Sequence, residues 1–172
     1  MPEEQPYHVY LPTIMKAPGE VAQQFQLQHK RLWSAQENGA QPGYTCGDGQ
    51  KVRVFVYNIK GEYALGAELP GVTVSATHFR AGHTTSETRR TDVAGMVLFE
   101  LHDYAFLAVV ADADGTPVTS DAAQITTLPQ AIESQQLIDT GYCTNEAGCR
   151  IFRDARTCLG HFSWDVVFKR GY

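Results

Sequence analysis

Apolar and polar residues alternate with a period of two along most of the chain from Lys51 onward. Val52-Arg-Val-Phe-Val-Tyr57 is dense in β-branched and aromatic residues, and Gly47-Asp-Gly49 and Asn58-Ile-Lys-Gly61 bracket it with turn chemistry. Val72 to Phe79 alternates, with Val72, Val74 and Ala76 on one face. Thr84 to Thr91 is polar but strand-compatible, which suits an edge or two wet faces. Met96 to Leu101, Ala105 to Ala111 and Val118 to Thr127 follow, separated by Asp92-Val-Ala-Gly95 and Asp112-Ala-Asp-Gly115. Phe162 to Phe168 closes the series, with Phe162, Trp164, Val166 and Phe168 on one face. About seven to nine short strands, with turns every eight to twelve residues or so, predict an antiparallel sandwich or barrel. No helical pattern alternates with the strands, so a parallel α/β sheet is not expected.

The N-terminal part is less regular. Tyr7 to Met15 is apolar enough for a strand, and Pro12 restricts it to an edge. Ala17-Pro-Gly-Glu20 breaks the pattern. Val21 to Asn38 reads either as a helix, through Val21, Phe25 and Leu32, or as a strand with Phe25, Leu27, His29, Arg31 and Trp33 on one face. The alternation favours the strand. Leu128 to Leu137 is the other place for a helix, a short one starting after Pro129. The expected organisation is an arm or edge strand over 1–19 and one sandwich domain over 20–172. That domain has a core module at about 51–127, a Cys-rich loop over 139–160 and a last strand over 161–169.

Composition narrows the function classes. The chain has 172 residues, 14 Lys and Arg against 19 Asp and Glu, and a net charge of −5. That balance argues against general nucleic-acid binding, and no apolar run approaches the roughly 20 residues of a membrane span. The four cysteines, Cys46, Cys143, Cys149 and Cys158, are even in number and three cluster among glycines. Their C-x5-C and C-x8-C spacings do not match the knuckles of a zinc site, so disulfides and an extracellular or cell-surface location are expected. Four cysteines allow three pairings, and the sequence alone does not select one; the preference is for Cys143 with Cys149 and Cys46 with Cys158.

Gly71-Val-Thr-Val-Ser75, Thr91-Asp-Val-Ala-Gly95 and Val97-Leu-Phe99 together resemble the G-V-x-V … T-D-x-x-G-x-x-x-F pattern of bacterial immunoglobulin-like modules. These include carboxypeptidase-regulatory-like, transthyretin-like sandwiches. The resemblance covers roughly Lys51 to Thr127. It implies an immunoglobulin-like or prealbumin-like antiparallel sandwich at the cell surface, used in adhesion, spacing, glycan contact or assembly. It implies no catalytic residues and no cofactor.

Several residues are candidates for chemistry. His78 and His83 flank a turn and His102 lies beyond, but nothing supplies a third metal ligand in a fixed register. Asp112-x-Asp114-Gly115 opens like a calcium loop, yet position twelve of such a loop is Ala123, so a β-turn is the simpler reading. His161, Ser163 and Asp165 fall on one face of the last strand without a nucleophile elbow, and a polar outer face explains them. Trp33 and Tyr44 are candidate glycan contacts, whereas Trp164 shares a face with Val166 and Phe168. Val54, Val74, Phe99, Trp164 and Val166 form the expected core. The expected function is a non-enzymatic adhesive or structural module, a subunit of a surface assembly with a protein partner (itself or a neighbour). The alternative is a carbohydrate-binding module, and a weaker one is a metal-dependent enzyme on a transthyretin-like sandwich.

Overall fold

The alternating segments fold into two sheets that face each other across an apolar core. The computed structural model describes residues 24–40, 50–59, 65–80, 82–154 and 162–171. Among these residues the strands are β1 (Gln24–Leu32), β2 (Lys51–Ile59), β3 (Leu65–Glu68), β4 (Thr73–Arg80), β5 (His83–Arg90), β6 (Met96–Glu100), β7 (Tyr104–Ala111), β8 (Thr119–Ser120), β9 (Ala123–Thr126) and β10 (Trp164–Arg170). One sheet runs β3-β2-β10-β1-β8, with β6 also paired to β2; the other runs β5-β4-β7-β9. The fold is an all-β, largely antiparallel sandwich. The N-terminal segment 1–19 lies outside the described residues.

The core lies between the alternating inner faces. Val54, Val74, Phe99, Trp164 and Val166 are all buried in it, with Phe25, Leu107 and Phe168. The motif Thr91-Asp-Val-Ala-Gly95 acts as a staple between the sheets. The Thr91 hydroxyl donates to the Leu69 carbonyl (2.6 Å) and accepts from the Val72 amide (3.0 Å). The Asp92 carboxylate accepts from the amides of Ala94 and Met96. Gly95 adopts φ +64° and its carbonyl accepts from the Val56 amide; a Cβ there would sit 2.7 Å from the Val56 carbonyl oxygen. Both the positive φ and the close approach require glycine.

Two features depart from simple alternation. In β1 the register against β10 shifts between Leu27 and His29. This bulge switches the inward-facing parity, so odd-numbered Phe25 and even-numbered Leu32 are both buried, and the continuous odd-numbered face expected from Phe25 to Trp33 is broken. The second is β10, which runs antiparallel to β1 but parallel to β2. It occupies the middle of its sheet, and both its faces are buried from Trp164 to Lys169. The expected half-wet last strand is therefore corrected. Parallel pairing requires a long crossover rather than a hairpin, and the chain reaches β10 through a helical excursion.

That excursion contains a 3₁₀ turn (Pro129–Ala131), helix α1 (Ser134–Asp139) and helix α2 (Glu146–Asp154). Helix α2 corrects the reading of 139–160 as a loop. Its first turn is capped by the Asn145 side chain, which accepts from the Gly148 amide (2.8 Å), and Glu146 and Arg153 match the helix dipole at its two ends. Tyr142, Phe152 and Phe162 form an aromatic cluster where the helices meet the sandwich. Arg153 ties α2 to the 3₁₀ turn through the carbonyls of Pro129 and Ile132 and the Ser134 hydroxyl.

A disulfide joins Cys143 to Cys149, with Cα atoms 5.2 Å apart, and anchors α2 to the turn before it. Cys46 and Cys158 lie outside the described residues. Closing so short a loop contributes about 2 kcal/mol on chain-entropy grounds. The double variant Cys143→Ala/Cys149→Ala should therefore unfold at lower urea, with its stability reduced by at least about that amount. An unchanged midpoint would show that the cross-link adds nothing.

Candidate functional site

Arg31 on β1, Asp165 on β10 and Arg53 on β2 stand in one register across the outer face of the larger sheet. Pairing places them side by side, and opposite charge then draws them into a network. Asp165 accepts from Arg31 Nη2 (2.5 Å), from Arg53 Nε and Nη2 (2.7 and 2.9 Å) and from Trp33 Nε1 (2.8 Å). The Arg53 guanidinium lies 4.3 Å from the centre of the Trp33 ring. Arg31 also pairs with Glu37 (2.8 Å). Ser34 and Glu37 exchange reciprocal side-chain to backbone bonds, a capping-box arrangement that holds the turn after β1.

The electrostatics follow from these contacts. Burial alone would push the Asp165 carboxyl up, but the hydrogen bonds from Arg53, Trp33 and Arg31 outweigh it and hold the group below the usual carboxylate range. Hydrogen bonding from Arg31 lowers Glu37 to about 2, and Arg31 itself is raised by Glu37 and Asp165. Both oxygens of Asp165 are occupied by cations and an indole. The cluster is thus a closed structural network, and Trp33 has one ring face and its N–H engaged within it.

The remaining sequence candidates fall as follows. Ser163 is buried, donates to the Asn38 side chain (2.8 Å) and accepts from the Lys51 amide (3.1 Å), while His161 lies outside the described residues. His78 stacks on His102, with ring centres 5.7 Å apart, and its Nδ1 accepts from the His102 amide (3.3 Å). His83 is exposed at the start of β5. Among the described residues no three His, Cys, Asp or Glu side chains converge as metal ligands. Asp112 pairs with Arg170, and the Asp112–Gly115 carbonyl-to-amide bond closes a turn with Gly115 at φ +88°. Tyr44 lies outside the described residues.

Two further surfaces stand out. The first is the free edge of β5, an end strand of the smaller sheet on which only Glu87 is partly shielded; the polarity of Thr84 to Thr91 suited such an edge. The second is a cleft of about 280 Å³ beside β9, at the opposite end of that sheet, where Tyr104, Gln124 and Trp164 meet Ile132, Glu133 and Gln136. Residues of this cleft come from β1, β7, β9, β10, the 3₁₀ turn, α1 and the connection between those last two, so no local motif announces it. Among the described residues no helix is long and apolar enough to cross a membrane. No protein-family model matches the chain, and no curated protein matches its sequence significantly.

Proposed function

We propose that the chain is a non-enzymatic, extracellular β-sandwich module that assembles with a second copy of itself through the free edge of β5. The observation carrying this reading is the edge itself. It is eight residues long and pairs with β4 without a bulge from Arg80↔His83 to Thr73↔Arg90, and no described strand covers its other side. Natural edges of this length are commonly blunted by proline, bulges or charged side chains, lysine above all; β5 has no proline, bulge or lysine, and its charges, Glu87, Arg89 and Arg90, are of both signs. Arg80 and His83 close a short hairpin as a hydrogen-bonded pair, so Thr84, Ser86 and Thr88 turn their backbone groups to the free edge.

Charge selects the register. An antiparallel pair of β5 strands centred on Thr88 sets Glu87 opposite Arg89 of the second copy, and Arg89 opposite the second copy's Glu87. Within one chain these two side chains already pair (2.9 Å), so association builds an alternating cluster of four charges. The extracellular setting is supported by the disulfide. The non-enzymatic reading is supported by Ser163 and Asp165, whose polar groups are held by neighbours in the fold.

Sedimentation velocity over a concentration series should show a monomer–dimer equilibrium. Thr88→Pro should abolish it while keeping the melting temperature of the dilute, monomeric wild type, because it removes an outward amide and leaves the β4 ladder intact. Glu87→Arg should weaken association, and adding Arg89→Glu should restore it. A wild-type monomer at every concentration, or a dimer that survives Thr88→Pro, would overturn the reading.

A further inference from the structure

The cleft beside β9 is distinguished from the Asp165 network by what its polar groups are doing. Glu133, Gln136 and Gln124 line it, with the Tyr104 phenol at 40% residue exposure. Among the described residues none of these four side chains finds a hydrogen-bond partner. The cation at the rim, Lys30, already donates to the Gln124 carbonyl oxygen (2.6 Å). The floor is apolar, from Ile132 and the almost fully buried Trp164. The Trp164 indole is fixed by its N–H bond to the Thr126 carbonyl (2.8 Å), and Arg153 fixes the Pro129–Ser134 segment from behind.

From this arrangement we propose that the cleft binds a neutral saccharide, one pyranose ring deep. Two carboxamides and a carboxylate offer donors and acceptors suited to vicinal hydroxyl groups, and with Glu133 and Lys30 of opposite sign the lining carries no net charge, which suits a neutral ligand. The exposed Tyr104 ring offers an apolar surface for a C–H face of the sugar, with a hydroxyl at its tip. The volume lies near the lower bound of small-molecule clefts, about 300 Å³. These groups are held on strands β7 and β9 and on a helical segment clamped by Arg153, so little ordering is needed on binding. The site is independent of the β5 interface, because β5 and β9 are opposite ends of the sheet.

The test is an NMR titration of the intact protein with glucose, galactose, N-acetylglucosamine and their β-linked disaccharides. At least one should shift the Trp164 indole N–H and the Tyr104 ring signals together in a saturable manner. Tyr104→Ala and Gln136→Ala should each weaken that binding about tenfold or more, as expected for losing a stacking platform or a hydrogen bond. Thr88→Pro should leave it unchanged. Absence of shifts across the panel would overturn the proposal, and so would binding that survives both cleft substitutions. Shifts produced by glucosamine but by none of the neutral sugars would assign the cleft to cations through Glu133 and would equally refute it.

Discussion

Trp164→Ala should destabilise the protein by about 3–5 kcal/mol, the range for removing a large aromatic side chain from a core. Trp164 is 4% exposed and lies on the central strand, in register with Val52 of β2 and Leu32 of β1. Its indole N–H reaches the Thr126 carbonyl of β9, in the other sheet. Truncation therefore opens a cavity and removes a hydrogen bond that joins the two layers. Trp164→Phe retains most of the apolar volume but not the donor, and should cost less, about 1–2 kcal/mol. Urea melts of both variants separate the two contributions. A loss below about 1 kcal/mol for the alanine variant would show that neighbouring side chains collapse into the space or that the residue is not part of the core.

Asp165→Ala should cost about 2–4 kcal/mol, near the lower end of what is lost when one member of a buried ion pair is removed. The Asp165 side chain is 9% exposed, whereas those of Arg53 and Arg31 are 35% and 46% exposed. Arg31 keeps its pairing with Glu37, and water can reach both guanidiniums, which moderates the cost. Asp165→Asn keeps the shape but turns an amide N–H toward arginine donors, so it should be destabilising too. The acid response follows from the direction of the shifts. Asp165 and Glu37 both have folded-state values below their unfolded ones. Their contribution is present above the unfolded carboxyl value, about 4, and is lost as the pH falls through the folded value. Stability of the wild type should thus fall as the pH drops below about 4, and the slope should be shallower in Asp165→Asn. Equal acid slopes in the two proteins would mean that Asp165 is not preferentially ionised in the native state.

The strand pattern from Lys51 onward was readable because strand geometry turns successive side chains to opposite faces. A row such as Val52, Val54 and Val56 thus reports its own buried face. The same rule failed in β1, where one bulge exchanged the faces between Phe25 and Leu32. It also failed at α2, where Cys143, Gly148 and Cys149 suggested a loop, although Asn145 and Glu146 were a capping signal in plain view. The two candidate surfaces left weaker traces. The polarity of Thr84 to Thr91 pointed to an edge, but not to an edge without a described neighbour. Nothing local linked Tyr104 to Gln124, Glu133, Gln136 and Trp164.

The sequence by itself determined the secondary-structure class, the inner faces of β2, β4, β6 and β10 and the glycine-bearing turn at Gly95. Each depends on residues close together in the chain, where backbone geometry and side-chain period act directly. Of the three pairings that four cysteines allow, the sequence left the choice open, and the structure joins Cys143 to Cys149. Only the tertiary structure decided that β10 enters the middle of a sheet parallel to β2, and that Asp165 is buried between two arginines. It alone left β5 open on one side and gathered the cleft beside β9. These features arise from contacts between residues far apart in the chain, and such contacts are selected by the packing of whole elements, a quantity that no local alternation contains.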